Sequence, residues 1–436
     1  MTEIASQPDI AASARRRIFL RLLPFLFVLY IINYLDRVNV AYAALTMSKD
    51  LGFSDEVFGT GAGIFFLGYV LLEIPGALIV ERWSARKWMA RIMISWGFLT
   101  VLVACVNTAH QFYCARFLLG CAEAGFFPGI IVYLHHWFRR EDRAKVISIF
   151  MAAIPLSNVI GSPLAGALLG VHWHGFAGWR WLFVLEGIPA AIAGVVTFFY
   201  LTDRPRDAKW LPDAEQRWIE GELEREHAGR SQDELHNIWR SLRKPVVLLL
   251  AVIGFFEYTG GYALLFWLPT ILKRASNYSN FAVTLFSALP YVVGMITMVI
   301  VGWNSDRTNE RRWHAAVPMF VAAGAYAILI YAGANFWLAL GMFMVITACL
   351  NSFYAPFWAL PSLTLGGSAA AASIGLINTI ASFGGFFGPK VVGLLNTRTG
   401  NGKAGLYYML LCFLATGLLL MLLPIRKAAE KSAFGD

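Results

Sequence analysis

The segment Glu81-Arg82-Trp83-Ser84-Ala85-Arg86-Lys87 is followed 225 residues later by a second version of itself, Asp306-Arg307-Thr308-Asn309-Glu310-Arg311-Arg312. Each version joins an acid and a base to two further basic residues, and each comes soon after a long apolar stretch. A second, shorter repeat relates Gly161-Ser162-Pro163 to Gly388-Pro389. Their prolines lie 226 residues apart. Repetition at a nearly constant offset indicates that the chain consists of two similar halves.

The composition excludes a water-soluble protein. Of the 436 residues, 58% are hydrophobic and only 14% are charged, whereas soluble chains carry about 25% charged residues. The five cysteines lie in apolar stretches without C-x-x-C spacing, which favours buried thiols over disulfides or a metal site. The basic residues behind the net charge of +9 fall in short clusters between apolar runs, so they indicate membrane topology and not a nucleic-acid partner.

The apolar runs predict an all-α membrane protein, because about 20 apolar residues cross a bilayer. The first run, from Ile18 to Met47, is too long for a signal peptide. The predicted spans are 20–47, 57–80, 88–107, 112–136, 146–170, 181–201, 246–272, 282–303, 315–334, 336–360, 370–396 and 404–424. They form two pseudo-symmetric six-helix bundles, residues 1–201 and 245–436, joined by a polar linker, residues 202–244, with an amphipathic stretch near 210–223.

The distribution of basic residues predicts the orientation. Loops on the side of both termini carry 27 lysines and arginines, and loops on the other side carry six. The positive-inside rule therefore places both termini in the cytoplasm.

Several strings beyond the repeated loop are similar to a known family. They are Tyr34-Leu35-Asp36-Arg37-Val38-Asn39, Glu73-Ile74-Pro75-Gly76, Arg116-Phe117-Leu118-Leu119-Gly120-Cys121-Ala122-Glu123-Ala124-Gly125, Trp179-Arg180-Trp181-Leu182-Phe183-Val184-Leu185-Glu186-Gly187 and Phe266-Trp267-Leu268-Pro269. The chain resembles the major facilitator superfamily and, within it, the anion:cation symporter family, most of all the bacterial tartrate-transporter and aromatic-acid-permease branch. The resemblance implies a bacterial inner-membrane transporter. One chain holds both halves of a pathway, so we expect a functional monomer.

Four charges are predicted to lie at similar membrane depth on spans one and four. They are Asp36, Arg37, Arg116 and Glu123, and intramembrane charges are functional candidates because they are costly to bury. Protonating Asp36 and Glu123 would free Arg37 and Arg116 to bind a substrate carboxylate. The alternative is that these residues form ion pairs that only lock the two helices together. The resemblance favours roles in proton coupling and substrate binding.

Further substrate contacts are expected from aromatic and amide side chains. Tyr34 shares a polar helical stripe with Arg37, and Tyr258 and Tyr262 share one face of span seven. By resemblance, Tyr69, Trp358 and Asn378 occupy cavity-facing positions, although aromatic residues at helical spacing also serve ordinary packing.

The repeated loops are predicted to act as a conformational latch. Their charges would pair across the halves in the outward-open state and separate when the halves rock. The latch residues are Glu81, Arg82, Arg86, Asp306, Arg307 and Arg311.

No nucleotide-binding, zinc-protease or serine-hydrolase motif occurs in the sequence, so we expect no enzyme, no metal and no cofactor other than protons. The favoured function is proton-coupled uptake of an organic anion, preferably a tartrate-like dicarboxylate or sugar acid. Alternatives are an aromatic carboxylate such as nicotinate or hydroxyphenylacetate, and anion exchange without proton movement. A membrane sensor or enzyme is a remote alternative.

Overall fold

The computed structural model describes residues 7–228, 242–331, 335–364 and 367–423, and the regular structure in those ranges is helical. The first half contains α1 (Gln7–Asp50), α2 (Asp55–Arg82), α3 (Ala85–Val103), α4 (Ala109–Glu123), α5 (Phe126–His135), α6 (Arg140–Met151), α7 (Ala153–Leu169) and α8 (Gly178–Tyr200). A single 3-10 turn, Pro205–Asp207, and α9 (Asp213–Ala228) follow it. The second half contains α10 (Pro245–Arg274), α11 (Asn280–Thr308), α12 (Arg312–Tyr331), α13 (Phe336–Thr364), α14 (Gly367–Thr399) and α15 (Lys403–Met421).

The architecture confirms the predicted set of twelve spans. In the described ranges, ten helices or consecutive helix pairs are long and apolar enough to cross a membrane, with α4–α5 and α6–α7 each counted as one span. Helices α3 and α14 complete the two sets of six. Helix α3 falls short of the composition of an ordinary span because Arg86, Lys87 and Arg91 occupy its first two turns.

Two predicted spans contain a break that the apolar pattern does not reveal. Span four bends between α4 and α5, where Gly125 adopts a left-handed conformation with φ +84°. Only glycine adopts this conformation without steric cost. Span five begins at Arg140, before the predicted start, and divides at Ala152 into α6 and α7.

Helix α1 begins well before the predicted boundary at residue 20, because polar partners stabilise its extra turns. Ser13 donates a hydrogen bond to Glu215 at 2.8 Å, and Arg17 pairs with the same carboxylate at 3.1 Å. Arg15 pairs with Asp142 at 2.5 Å. Glu215 belongs to helix α9, which forms most of the predicted amphipathic linker stretch. This helix extends to Ala228 and packs against the start of α1.

The bundle has two ends. We name the end that carries the first residues of α1 and the last residues of α15 the terminal face, and the other end the opposite face. Helices α2 and α14, α7 and α11, and α1 and α10 form the contacts between the halves. Near the opposite face this packing is close: a Cβ atom on Gly59 would lie 2.3 Å from the carbonyl oxygen of Pro389, and Arg274 pairs with Asp55 at 2.6 Å.

Candidate functional site

The four predicted charges meet inside the first half. Asp36 and Arg37 lie on α1, and Arg116 and Glu123 lie on α4; we call these four residues the charged cluster. Asp36 is 1% exposed, Arg37 is 8% exposed, and Arg116 and Glu123 are fully buried. Ionised groups buried this deeply need charged or hydrogen-bonding partners. The packing of the two helices therefore has to supply those partners or leave them to a ligand.

Arg37 is held by opposite charge and by aromatic rings. Its guanidinium forms an ion pair with Glu123. The same group lies 5.4 Å from the ring centroid of Tyr34 and 5.1 Å from that of Tyr69, within the range of cation–π attraction. Two predicted substrate-site tyrosines therefore flank this arginine.

Arg116 is far less well satisfied. Its Nε donates a hydrogen bond to the backbone carbonyl of Gly61 at 3.4 Å, and its guanidinium lies 4.9 Å from the ring centroid of Phe65. Both terminal guanidinium nitrogens are buried without a hydrogen-bond partner in the described part of the chain. An unpaired buried cation is costly, and two parallel N–H donors match a carboxylate in geometry and charge.

The two carboxylates of the charged cluster are also incompletely paired. Asp36 accepts one hydrogen bond from Asn39 at 3.1 Å. Its second oxygen and the second oxygen of Glu123 are buried and have no partner among the described residues. These unpaired oxygens can be satisfied by taking up protons, which also removes their charge.

A chain of hydrogen bonds links the second half to the first near this cluster. Tyr258 on α10 donates to the amide oxygen of Asn378 on α14 at 3.1 Å. The amide nitrogen of Asn378 donates to Glu73 on α2 at 2.8 Å. This bond lies nearer the terminal face than the ion pair between Asp55 and Arg274.

Sequence reasoning favours a helix contact for Glu73 but does not identify Asn378 as its partner in this series of hydrogen bonds. Its partner is 305 residues away, and nothing in the spacing of either helix connects the two. The usable signal was the presence of an acid inside a predicted span, one helical turn after Tyr69. The second oxygen of Glu73 is buried and unpaired.

The other second-half candidates lie in different surroundings. The ring of Tyr262 packs on Phe66 of the first half at 4.3 Å and against Tyr258 at 5.6 Å. Trp358 is half-buried on α13 with its ring 5.2 Å from that of Phe357. No described hydrogen bond joins Trp358 to the charged cluster.

The second half also contains a buried acid on α10. Glu257 is fully buried, and neither of its oxygens has a hydrogen-bond partner among the described residues.

Among the latch residues whose side chains are described, none forms an ion pair across the halves in this structure. Asp306 pairs with Arg311 at 2.6 Å, and the backbone N–H of Arg86 donates to Asp203 at 2.9 Å. Arg82 and Arg307 are exposed. The side chain of Glu81 lies outside the described residues. Pairing across the halves thus remains a prediction for another conformation.

Comparisons with known proteins agree with this architecture. The Major Facilitator Superfamily profile matches residues 26–389. A protein of Agrobacterium vitis named "Putative tartrate transporter" is 43% identical over 95% of this chain and 92% of its own length. A "Quinolone resistance transporter" of Acinetobacter baumannii is 38% identical over 92% of each chain. The fold also matches the crystal structure of a bacterial homologue of the human lysosomal transporter Spinster, with a TM-score of 0.75, 19% identity and 96% coverage of both chains. The chain belongs to the major facilitator superfamily, as its motifs predicted.

Proposed function

We propose that this membrane transporter takes up a small organic anion together with protons. The observation that carries the proposal is Arg116, a fully buried guanidinium whose two terminal nitrogens have no hydrogen-bond partner in the described part of the chain. A substrate carboxylate would supply both missing acceptors in one bidentate contact. Arg37 lies on the neighbouring helix and would bind a second carboxylate once it is released from Glu123.

Proton coupling follows from the zero net charge of the charged cluster. With all four residues ionised, the substrate competes with Asp36 and Glu123 for the two arginines. Protonating the acids removes that competition, so proton binding and anion binding favour each other. Loss of the protons on the other side re-forms the internal ion pairs and expels the anion.

A dicarboxylate or sugar acid of the tartrate type fits two arginines best. The Agrobacterium vitis relative supports this class by its name. The tyrosines around Arg37 support the alternative of an aromatic carboxylate, and the Acinetobacter baumannii relative shows that proteins this similar are named for different compounds.

Alternating access would proceed by rocking of the two halves. The close packing at the opposite face holds that side shut, and the hydrogen bond from Asn378 to Glu73 joins the halves on the side of the terminal face. Breaking it would remove this link between the halves. We place the terminal face in the cytoplasm of a bacterial cell because that face carries most of the basic residues.

The test uses the purified protein in proteoliposomes that contain a pH-sensitive dye. A panel of sugar acids, dicarboxylates and aromatic carboxylates is added outside. We expect one class to acidify the lumen above the leak of empty vesicles, and Glu123→Gln to abolish that signal. The matched control is Arg398→Gln, an exposed charge at the opposite face. If no acid acidifies the lumen while labelled acids still exchange into preloaded vesicles, the protein is an anion exchanger without proton coupling.

A further inference from the structure

A groove lies on the outer surface of the first half, between α3 and α8 at the terminal face. Its volume is about 650 Å³. The residues that line it include Trp83, Lys87, Arg91, Ile94, Phe98 and Phe198. None of them belongs to the charged cluster or to the contacts between the halves.

The two cations in this groove have no acidic partner among the described residues, unlike several other basic residues of the same face. On the same face, Arg17 pairs with Glu215 at 3.1 Å and Arg143 pairs with Glu226 at 2.5 Å. The side-chain nitrogens of Lys87 and Arg91 form no ion pair or hydrogen bond with any described residue. Arg91 lies 3.8 Å from the ring centroid of Trp88, and Lys87 lies 5.8 Å from that of Trp83. Both positive charges therefore remain available to an anion.

The chemical character of the groove changes along α3. Lys87 and Arg91 are four residues apart on one helical face, in the first two turns from the terminal face. Ile94 and Phe98 continue the same side of the helix deeper in the membrane, with Phe98 about 10 Å beyond Arg91. Phe98 is 67% exposed and Ile94 is 41% exposed. Cations at the interface followed by an apolar surface complement a phospholipid with its headgroup at the interface.

We propose that the groove is a binding site for an anionic phospholipid. The lipid phosphate would pair with Lys87 and Arg91, and an acyl chain would lie along Ile94, Phe98 and Phe198. The indole of Trp83, which is 61% exposed, would lie at headgroup level, where tryptophan is enriched in membrane proteins. Basic pockets on the cytoplasmic side of membrane proteins recognise anionic headgroups in this way. The proposal does not depend on the transported substrate.

The test measures lipid binding to the delipidated full-length protein in detergent by native mass spectrometry. The probes are dioleoyl-phosphatidylglycerol, dioleoyl-phosphatidylcholine and chain-free glycerol phosphate. We expect the wild type to bind phosphatidylglycerol in preference to phosphatidylcholine and not to bind glycerol phosphate. The double variant Lys87→Gln/Arg91→Gln should weaken phosphatidylglycerol binding about 30-fold, because each basic residue near an anionic surface contributes about five-fold.

Two further variants keep the test decisive. Arg206→Gln/Lys209→Gln removes the same charge from exposed linker positions on the same face and should leave the affinity unchanged. Lys87→Arg/Arg91→Lys keeps the charge and should bind phosphatidylglycerol close to wild-type strength. Equal binding of both phospholipids, or unchanged affinity in the glutamine variant, would overturn the proposal. So would a dimer that the glutamine variant disrupts without any loss of bound lipid, because the groove would then receive a second copy of the chain.

Discussion

The two halves of the molecule share a fold but divide the chemistry unequally. The first half buries two arginines and two carboxylates between α1 and α4. The corresponding region of the second half offers mainly hydroxyl, amide and aromatic groups, exemplified by Tyr258, Asn378 and Tyr262, beside one buried acid, Glu257. Neutral hydrogen bonds contribute little net free energy and break easily, whereas buried ion pairs resist separation. The comparison suggests that the first half recognises the anion and the second half closes over it.

The largest expected effect tests recognition by the first half. Arg116→Gln should weaken substrate binding about 30-fold or more, because removing one partner of a buried charge pair costs about 2–5 kcal/mol. Arg116→Lys should recover only part of the affinity, since an ammonium lacks the bidentate fork. Isothermal titration of the detergent-purified protein with its substrate measures both. Wild-type affinity in Arg116→Gln would show that this arginine is a structural group.

The second prediction asks whether proton coupling belongs to the first half alone. Asp36→Asn and Glu123→Gln should abolish accumulation driven by external acid but preserve exchange of labelled for unlabelled substrate, because the arginines remain. In the wild type, lowering the external pH should increase uptake, and in both variants that dependence should disappear. Glu257→Gln is the matched second-half variant, since Glu257 is equally buried. If it also uncouples transport, the division between the halves is wrong.

The architecture could be predicted from the sequence because it depends on regularities that the sequence displays directly. Span length follows from bilayer thickness, and the repeat of the 81–87 loop marks the second half. The contact between α1 and α4 was also predictable, because Arg37 and Glu123 are predicted to lie at similar depths in the membrane and buried charges of opposite sign pair with each other.

Contacts that depend on how the two halves dock were not predictable. The hydrogen bond between Glu73 and Asn378 joins helices from different halves, and no local pattern encodes their relative position. The bend at Gly125 was hidden because glycine also occurs in straight, closely packed membrane helices. The early start of α1 was missed because its polar turns are stabilised by Glu215 of the linker helix, outside the membrane.

The third prediction concerns the polar link between the halves. Glu73→Gln and Asn378→Ala should each favour separation of the two halves at the terminal face. A double-mutant cycle on the free-energy difference between the closed and the open states should give a coupling of about 1.5–3 kcal/mol, as for hydrogen bonds to charged groups. Spin labels at Arg140→Cys and Thr308→Cys, in a background without the native cysteines, report the distance between the halves. An unchanged distance distribution in both single variants would show that this bond does not control opening.

The smallest expected effect lies entirely in the second half. Tyr258→Phe removes the hydroxyl that donates to Asn378 at 3.1 Å and keeps the ring that packs against Tyr262. A neutral hydrogen bond contributes about 0.5–1.5 kcal/mol, so transport should slow about 2- to 10-fold with proton coupling intact. Initial uptake rates and lumen acidification in the same vesicles separate these two effects, and Tyr278→Phe, at an exposed tyrosine of the second half, serves as the control. If Tyr258→Phe reduced transport more than Arg116→Gln, anion recognition would belong to the second half, because a neutral hydroxyl would then contribute more than a buried guanidinium.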